Sequence, residues 1–306
     1  MDRISTHSAY LHAIEAMSDR QAQMSKLQTQ LATGRKVLSP SDDPVSAAQA
    51  EVARSSVQRI EAEKRMVGFA QIMLQQAEGA LGNGTEVLAS VRDLAIQGGN
   101  ATLSAGDRAM LATQIRGMRD ELLAVANRRD GSGGYVFGGA GMRSQPFVEN
   151  AGVVAYAGSA ATQQVGTEMP FSTAMDGRAL FVTPAGTGAG ESIFARLDAL
   201  VALYEDPAAA STDLVNITKA TIDAIDATAD AMNAGRAYAG EQLRAIDSIT
   251  SALDAGQDDA QARLSQLVDL DFAQAISDFA SLQTGLDAAM KTYAQVSRLS
   301  LFNYIG

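Results

Sequence analysis

The sequence predicts a mainly α protein: an elongated helical bundle with heptad-like helices at both chain ends and a small central β-rich insertion. Three observations carry this. Apolar residues recur every seven positions through long segments of both halves of the 306-residue chain. Glycine gathers between the halves, with 13 of the 27 glycines in 131–190. Aromatic residues are only 5%, with no Trp, which is thin for a compact mixed α/β body.

The first helix carries Tyr10, Met17, Met24 and Leu31 seven apart, with Leu27 between them. Gly34 and the run Ser39-Pro40-Ser41-Asp42-Asp43-Pro44 end it and start the next. Proline restricts the residue before it, so Asp43 is expected to be an N-cap with Pro44 in the first helical position. The second helix has the longest periodic pattern: Ala53, Ile60, Val67, Leu74, Leu81, Leu88 and Ala95, with Ala70, Ala77, Gly84 and Val91 in the complementary seam. A seven-residue repeat sustained this long favours helices wound around one another. Gly79, Gly82 and Gly84 cost about 1 kcal/mol each in propensity and are expected to admit a neighbouring helix. A third helix sets Leu111, Met118 and Val125 against Ile115 and Leu122, and is expected to stop at Asp130-Gly131.

The middle zone offers short extended candidates at Tyr135–Phe137, Val153–Tyr156 and Leu180–Val182. These are too few for a large sheet, so a small antiparallel insertion is expected. Helical periodicity resumes with Ile193, Leu197 and Leu200. It continues with Ile225, Met232, Ala239, Ile246 and Leu253, interleaved with Ile222, Ala229 and Leu243. The last helix carries Phe272, Phe279, Leu286 and Tyr293, with Val268, Ala275, Leu282, Ala289 and Val296 between. Leu299, Leu301, Phe302, Tyr304 and Ile305 crowd the end of the chain.

Composition excludes much chemistry. There is no cysteine, hence no disulfide, thiolate metal site or cysteine nucleophile. Two histidines, His7 and His12, are too few for a multi-histidine zinc site and leave little room for a histidine triad. A net charge of −11 argues against a nucleic-acid backbone as partner. There is no phosphate-binding glycine loop with a lysine and no dinucleotide fingerprint. Asp42-Asp43 and Asp258-Asp259 lack further ligands at calcium-loop spacing, so capping and solvation are expected of them. Neither a catalytic constellation nor a cofactor or metal site is expected. No apolar run reaches the roughly 18 residues of a membrane span, and the first residues form no continuous apolar core of a cleaved signal. Secretion, if it occurs, is expected to use a route without such a signal.

An apolar stripe is usually an internal core, and the inner helices are read that way. The ends differ, because chain ends are normally polar and frayed. Their stripes point to an interface formed with other molecules. The candidate assembly residues are Tyr10, Met17, Met24, Leu27 and Leu31 near the start. Near the end they are Phe272, Phe279, Leu282, Leu286, Tyr293 and Val296, followed by Leu301, Phe302 and Tyr304.

These ends also carry a resemblance. Leu31-Ala32-Thr33-Gly34-Arg35-Lys36-Val37 followed by Pro40-Ser41-Asp42-Asp43-Pro44 resembles the N-terminal signature of the bacterial flagellin family. Glu78-Gly79-Ala80-Leu81 and Val91-Arg92-Asp93-Leu94-Ala95-Ile96-Gln97 are similar to that family's long core helix. Leu267 to Ile276 resembles its C-terminal core motif. Leu299 to Ile305, and Leu123 to Asn127 leading to Gly134-Tyr135-Val136-Phe137-Gly138-Gly139, resemble its hook–filament junction members most. Filament-forming members tend to have lysine before the paired aspartates and alanine after them, where this chain has Ser41 and Pro44. Ser90 stands two residues before Arg92, where members seen by an innate immune receptor carry arginine, so that recognition is not carried over.

The resemblance implies a structural, non-enzymatic, flagellin-like subunit of the extracellular flagellum. It also implies export through the flagellar secretion apparatus without a cleaved signal. Implied partners are further copies in a ring or helical zone, a hook-side junction protein, flagellin and a cytosolic export chaperone, with no nucleic acid and no membrane insertion. The expected domains are 1–40 with 265–306 as the inner coiled-coil assembly domain, 41–134 with 191–264 as the helical bundle, and 135–190 as the surface-facing insertion. Alternatives are filament flagellin itself, or a flagellin-like surface protein with a binding role in the insertion. Ordering about 30 residues costs roughly 30–60 kcal/mol of backbone entropy, and a lone amphipathic helix with one wet face recovers too little of it. The ends are therefore expected to fold on assembly.

Overall fold

A computed structural model describes residues 6–100, 102–131, 133–139, 143–159, 164–165, 171–172, 175–183 and 191–305. The described residues form seven helices and six short strands. The helices are α1 (Thr6–Thr33), α2 (Pro44–Gly98), α3 (Ala105–Ala126), α4 (Gly177–Phe181), α5 (Ile193–Glu205), α6 (Ser211–Val268) and α7 (Phe272–Ile305). Two compact units emerge: Met1–Glu61 with Asp254–Gly306, and Ala62–Leu253. Among the described residues no helix is long and apolar enough to cross a membrane.

In the second unit the seven-residue pattern becomes the core. Leu74, Leu81, Leu88 and Ala95 of α2 and Met232, Ala239 and Ile246 of α6 are fully buried. The glycines of α2 do not break it. At Gly84 an added Cβ would meet the Met232 sulfur at 3.1 Å, so glycine here lets the α6 side chain reach the α2 backbone. Tyr204 of α5 ties three helices together. Its hydroxyl lies 2.8 Å from the Ala95 carbonyl oxygen, to which it donates, and 3.1 Å from Thr218 Oγ1. Burial raises its pKa.

Among the described residues the insertion has three two-stranded antiparallel pairs. Strands β1 (Phe147–Asn150) and β2 (Val153–Tyr156) pair with Phe147 opposite Tyr156 and Asn150 opposite Val153. Ala151 and Gly152 both have positive φ in their two-residue loop, the geometry that matches strand twist. The other pairs are β3 (Gln164–Val165) with β4 (Phe171–Ser172), and β5 (Val182–Thr183) with β6 (Glu191–Ser192). Phe147 anchors the insertion among Tyr156, Phe181 and Phe194, with ring centroids 5.1, 5.2 and 5.6 Å away.

Four local expectations are corrected. Tyr135–Phe137 makes one bridge, Arg129 to Tyr135, and no strand, because the chain turns there, with Gly138 N donating to the Tyr135 carbonyl (3.3 Å). Leu180 and Phe181 lie in α4, which Asp176 caps by accepting from Arg178 N at 2.9 Å, and extended backbone begins only at Val182. Helix α3 stops at Ala126, since the Asn127 side chain clamps β1 through both its amide atoms (2.9 and 3.0 Å to Phe147). Val268 ends α6 instead of joining the last helix. Leu270 N turns away to donate to the Gly34 carbonyl (2.9 Å), and Asp271 caps α7 by accepting from Ala273 N and Gln274 N.

Arg119 joins insertion to helices. Its side chain is 5% exposed, with Nη1 3.0 Å from Asp120 Oδ1, Nη2 2.7 Å from Glu149 Oε1 and Nε 3.0 Å from Asp198 Oδ1. Burial opposes the charge, but the Glu149 and Asp198 carboxylates outweigh it and raise the guanidinium pKa. Hydrogen bonding to Arg119 lowers that of Glu149 in turn.

Candidate assembly interface

The first unit brings the two chain ends together: α1 packs along α7. Two connections hold the pair at its base. Gly34, at φ +70°, turns the chain out of α1, with its N–H donating to Gln30 O at 2.8 Å. The following residues run beside the 268–270 segment, with Lys36 N donating to Val268 O (2.8 Å) and Lys36 Nζ to Gln266 O (2.7 Å). The Phe272 ring lies 3.5 Å from where a Gly34 Cβ would stand, an ordinary contact, so it is the positive φ and not space that favours glycine there.

Asp42 and Asp43 shape the same base. Asp42 accepts from Lys26 Nζ at 2.7 Å, Ser39 N at 2.9 Å and Leu38 N at 3.2 Å. The Lys26 contact first, then the backbone donors, lower its pKa to about 2. Asp43 caps α2 by accepting from Val45 N and Ser46 N at 3.1 and 3.0 Å. Hydrogen bonding from Ser46 is the main cause of its lowered pKa. The paired aspartates are thus spent on capping and on tethering α1.

Met17, Met24, Leu27 and Leu31 of α1 are half-buried, as are Phe279, Leu282, Leu286 and Tyr293 of α7. Phe272 is exposed. The side chains of Tyr10, Val296, Leu301, Phe302 and Tyr304 lie outside the described residues. Among the described side chains of α1 and α7, only Ala275 is fully covered. This contrasts with the second unit, where whole seams are buried. A two-helix pair has one seam, and the seam residues keep a wet side.

Sequence periodicity missed several apolar side chains of these helices that face solvent: Leu11, Ile14, Ile276 and Met290. They lie off the seven-residue stripe, and only their apolar character marks them. Arg20 crosses Gly285 closely, its Nη1 2.7 Å from where a Cβ would stand.

Two family models match the chain: the bacterial flagellin N-terminal helical region over residues 4–141 and the bacterial flagellin C-terminal helical region over 222–305. The chain is 31% identical to flagellar hook-associated protein 3 of Escherichia coli K12, over 98% of both chains. It is 24% identical to the flagellin of Bacillus subtilis 168, over 97% of this chain and 96% of that one. The crystal structure of flagellar hook-associated protein 3 from Legionella pneumophila is similar in fold. It has a TM-score of 0.63 at 17% identity and covers 71% of this chain and 98% of that chain.

Proposed function

Since the chain belongs to the bacterial flagellin family, on its hook-associated protein 3 branch, we propose that it is a structural subunit of the flagellum at the junction of hook and filament. The observation that carries this reading is full-length identity, higher to hook-associated protein 3 than to flagellin. The half-covered seam of α1 and α7 supports the mechanism. Folding of the ends is coupled to polymerisation: inside a ring or short helical zone each apolar stripe meets a neighbour and the ordering cost is met.

In this reading 1–40 and 265–306 form the inner assembly domain, 41–134 and 191–264 the surrounding bundle, and 135–190 the outward insertion. The chain leaves the cell unfolded through the flagellar secretion apparatus, escorted inside by a chaperone. It contacts a hook-side junction protein on one side and flagellin on the other. Its role is architectural, with no catalytic step assigned to any residue.

Deletion tests the reading. Cells without the chain should make hooks without filaments and release flagellin monomer into the medium, whereas cells that still build filaments would refute it. The alternative, filament flagellin, rests on the 24% full-length identity. Seeding separates the two: purified flagellin grows long polymers on filament fragments, and a junction subunit does not.

A further inference from the structure

Resting on that assembly reading, we propose that the two connectors of the first unit, 34–36 and 266–270, form a clasp that is already closed in the free chain and sets the register of α1 on α7 before neighbouring molecules order them. Each connector completes the hydrogen bonding of the other. A helix ends on carbonyls that have no partner within it. At the end of α6, those of Gln266 and Val268 accept from Lys36, the first from Nζ at 2.7 Å and the second from N at 2.8 Å. In return the Gly34 carbonyl, just past α1, accepts from Leu270 N at 2.9 Å. Lys36 and Gln266 are 230 residues apart, so the clasp joins the two ends of the chain.

None of these bonds needs α1 or α7 to be helical. Val268, at the clasp, is a buried side chain. The segment 38–46 takes its shape from its own carboxylates, Asp42 accepting from Leu38 N and Ser39 N, and Asp43 from Val45 N and Ser46 N. On the other connector Ser265 Oγ donates to Asp269 Oδ2 at 2.6 Å.

The clasp also lowers the hardest step in winding the ends. Starting a helix is unfavourable, with a nucleation constant on the order of 10⁻³, whereas adding a residue to an existing turn is not. A starting point lies on each side of the clasp. Gly34, at φ +70°, closes the last turn of α1 by donating to Gln30 O. Asp271 accepts from Ala273 N and Gln274 N in the first turn of α7. Order therefore spreads outward from the clasp along both helices, and the two ends enter a ring as one pair.

The chain has no cysteine, so introduced thiols are its only ones. Arg35 and Asp269 stand opposite each other in an antiparallel bridge, between the bonds Lys36 N to Val268 O and Leu270 N to Gly34 O, and both are exposed. Such a non-hydrogen-bonded pair has Cα atoms about 4.5 Å apart, within reach of a disulfide. The test equilibrates the purified full chain carrying Arg35→Cys and Asp269→Cys with a glutathione redox buffer. The control is Arg20→Cys with Asp269→Cys, since Arg20 lies about four turns up α1, beside Gly285. The clasp pair should form an intrachain disulfide with an effective concentration at least about tenfold above the control, and equal values overturn the proposal. The unmodified chain gives a second measure that no substitution can disturb. In the free chain the Lys36 and Leu270 amides should exchange at least about 100-fold more slowly than in an unfolded chain, and unfolded rates at both overturn the clasp. A strain that builds filaments without the chain refutes the underlying reading, and leaves the clasp to these two measurements on the free chain.

Discussion

Arg119→Ala should destabilise the second unit by about 3 kcal/mol. Removing one partner of a buried charge network costs about 3–5 kcal/mol, because the remaining charges lose their compensation. Here the arginine is buried, but the carboxylates of Asp120, Glu149 and Asp198 are 63%, 42% and 37% exposed, so they regain water. That places the cost at the low end. For a unit spanning residues 62–253, each kcal/mol moves the midpoint by about 2–4 °C, so a drop of roughly 6–12 °C is expected. Far-UV circular dichroism during thermal and urea unfolding of the full chain measures it. Arg116→Ala is the control: Arg116 pairs with Glu205 at a half-exposed surface and should cost under about 1 kcal/mol. Acid adds a second readout. Arg119 holds the Glu149 pKa below its ordinary 4.5, so this part of the stability is complete above that value. It is lost as pH falls through the lower folded value, and Arg119→Ala should flatten that slope. A variant within about 0.5 kcal/mol of wild type, with an unchanged acid limb, would refute the role given to this side chain.

Gly98→Ala should be disruptive, because its Cβ would stand 2.2 Å from the ring of Tyr204, which is buried and tethered at its hydroxyl. A loss of about 1–3 kcal/mol in urea unfolding is expected, as for overpacked cores. Asp43→Ala removes the α2 cap and should cost about 1 kcal/mol, read as a lower urea midpoint. Leu81→Ala opens a cavity in a fully buried seam and should cost about 2–5 kcal/mol in the same measurement. The Asp42 tether to α1 should persist well below the ordinary carboxylate range and be lost as pH approaches about 2. Carboxyl chemical shifts followed by solid-state NMR in isolated flagella, where α1 is ordered, check this, and titration of Asp42 near the ordinary carboxylate value of 3.8 would contradict it.

The helical architecture was legible because its signal is local and repeated. Ala53 through Ala95 places a small or aliphatic side chain on one face seven times, and every one is buried. Asp43 before Pro44 marked a helix start that two backbone hydrogen bonds now define. What stayed hidden joins distant parts of the chain. Arg119 meets carboxylates 30 and 79 residues away, and Asn127 grips Phe147 twenty residues on. No periodicity encodes such pairs. The insertion was half legible. Val153–Tyr156 follows a turn with Gly152, but Leu180 and Phe181 read as extended only because a single turn of helix is too short to show a period. The candidate interface divides in the same way. The heptad pattern marked side chains that the structure shows half-buried, such as Met17 and Leu282, whereas Ile276, one turn from Phe272 and off the stripe, shows its exposure only once the two helices are paired.

The most direct measurement is amide hydrogen exchange of the purified full chain beside intact flagella. In the free chain, 6–33 and 272–305 should exchange at rates close to those of an unfolded chain while the buried helices of 62–253 stay slow. In flagella both end segments should become protected. Slow exchange of both tails in the free chain would contradict an account in which neighbouring molecules complete their fold.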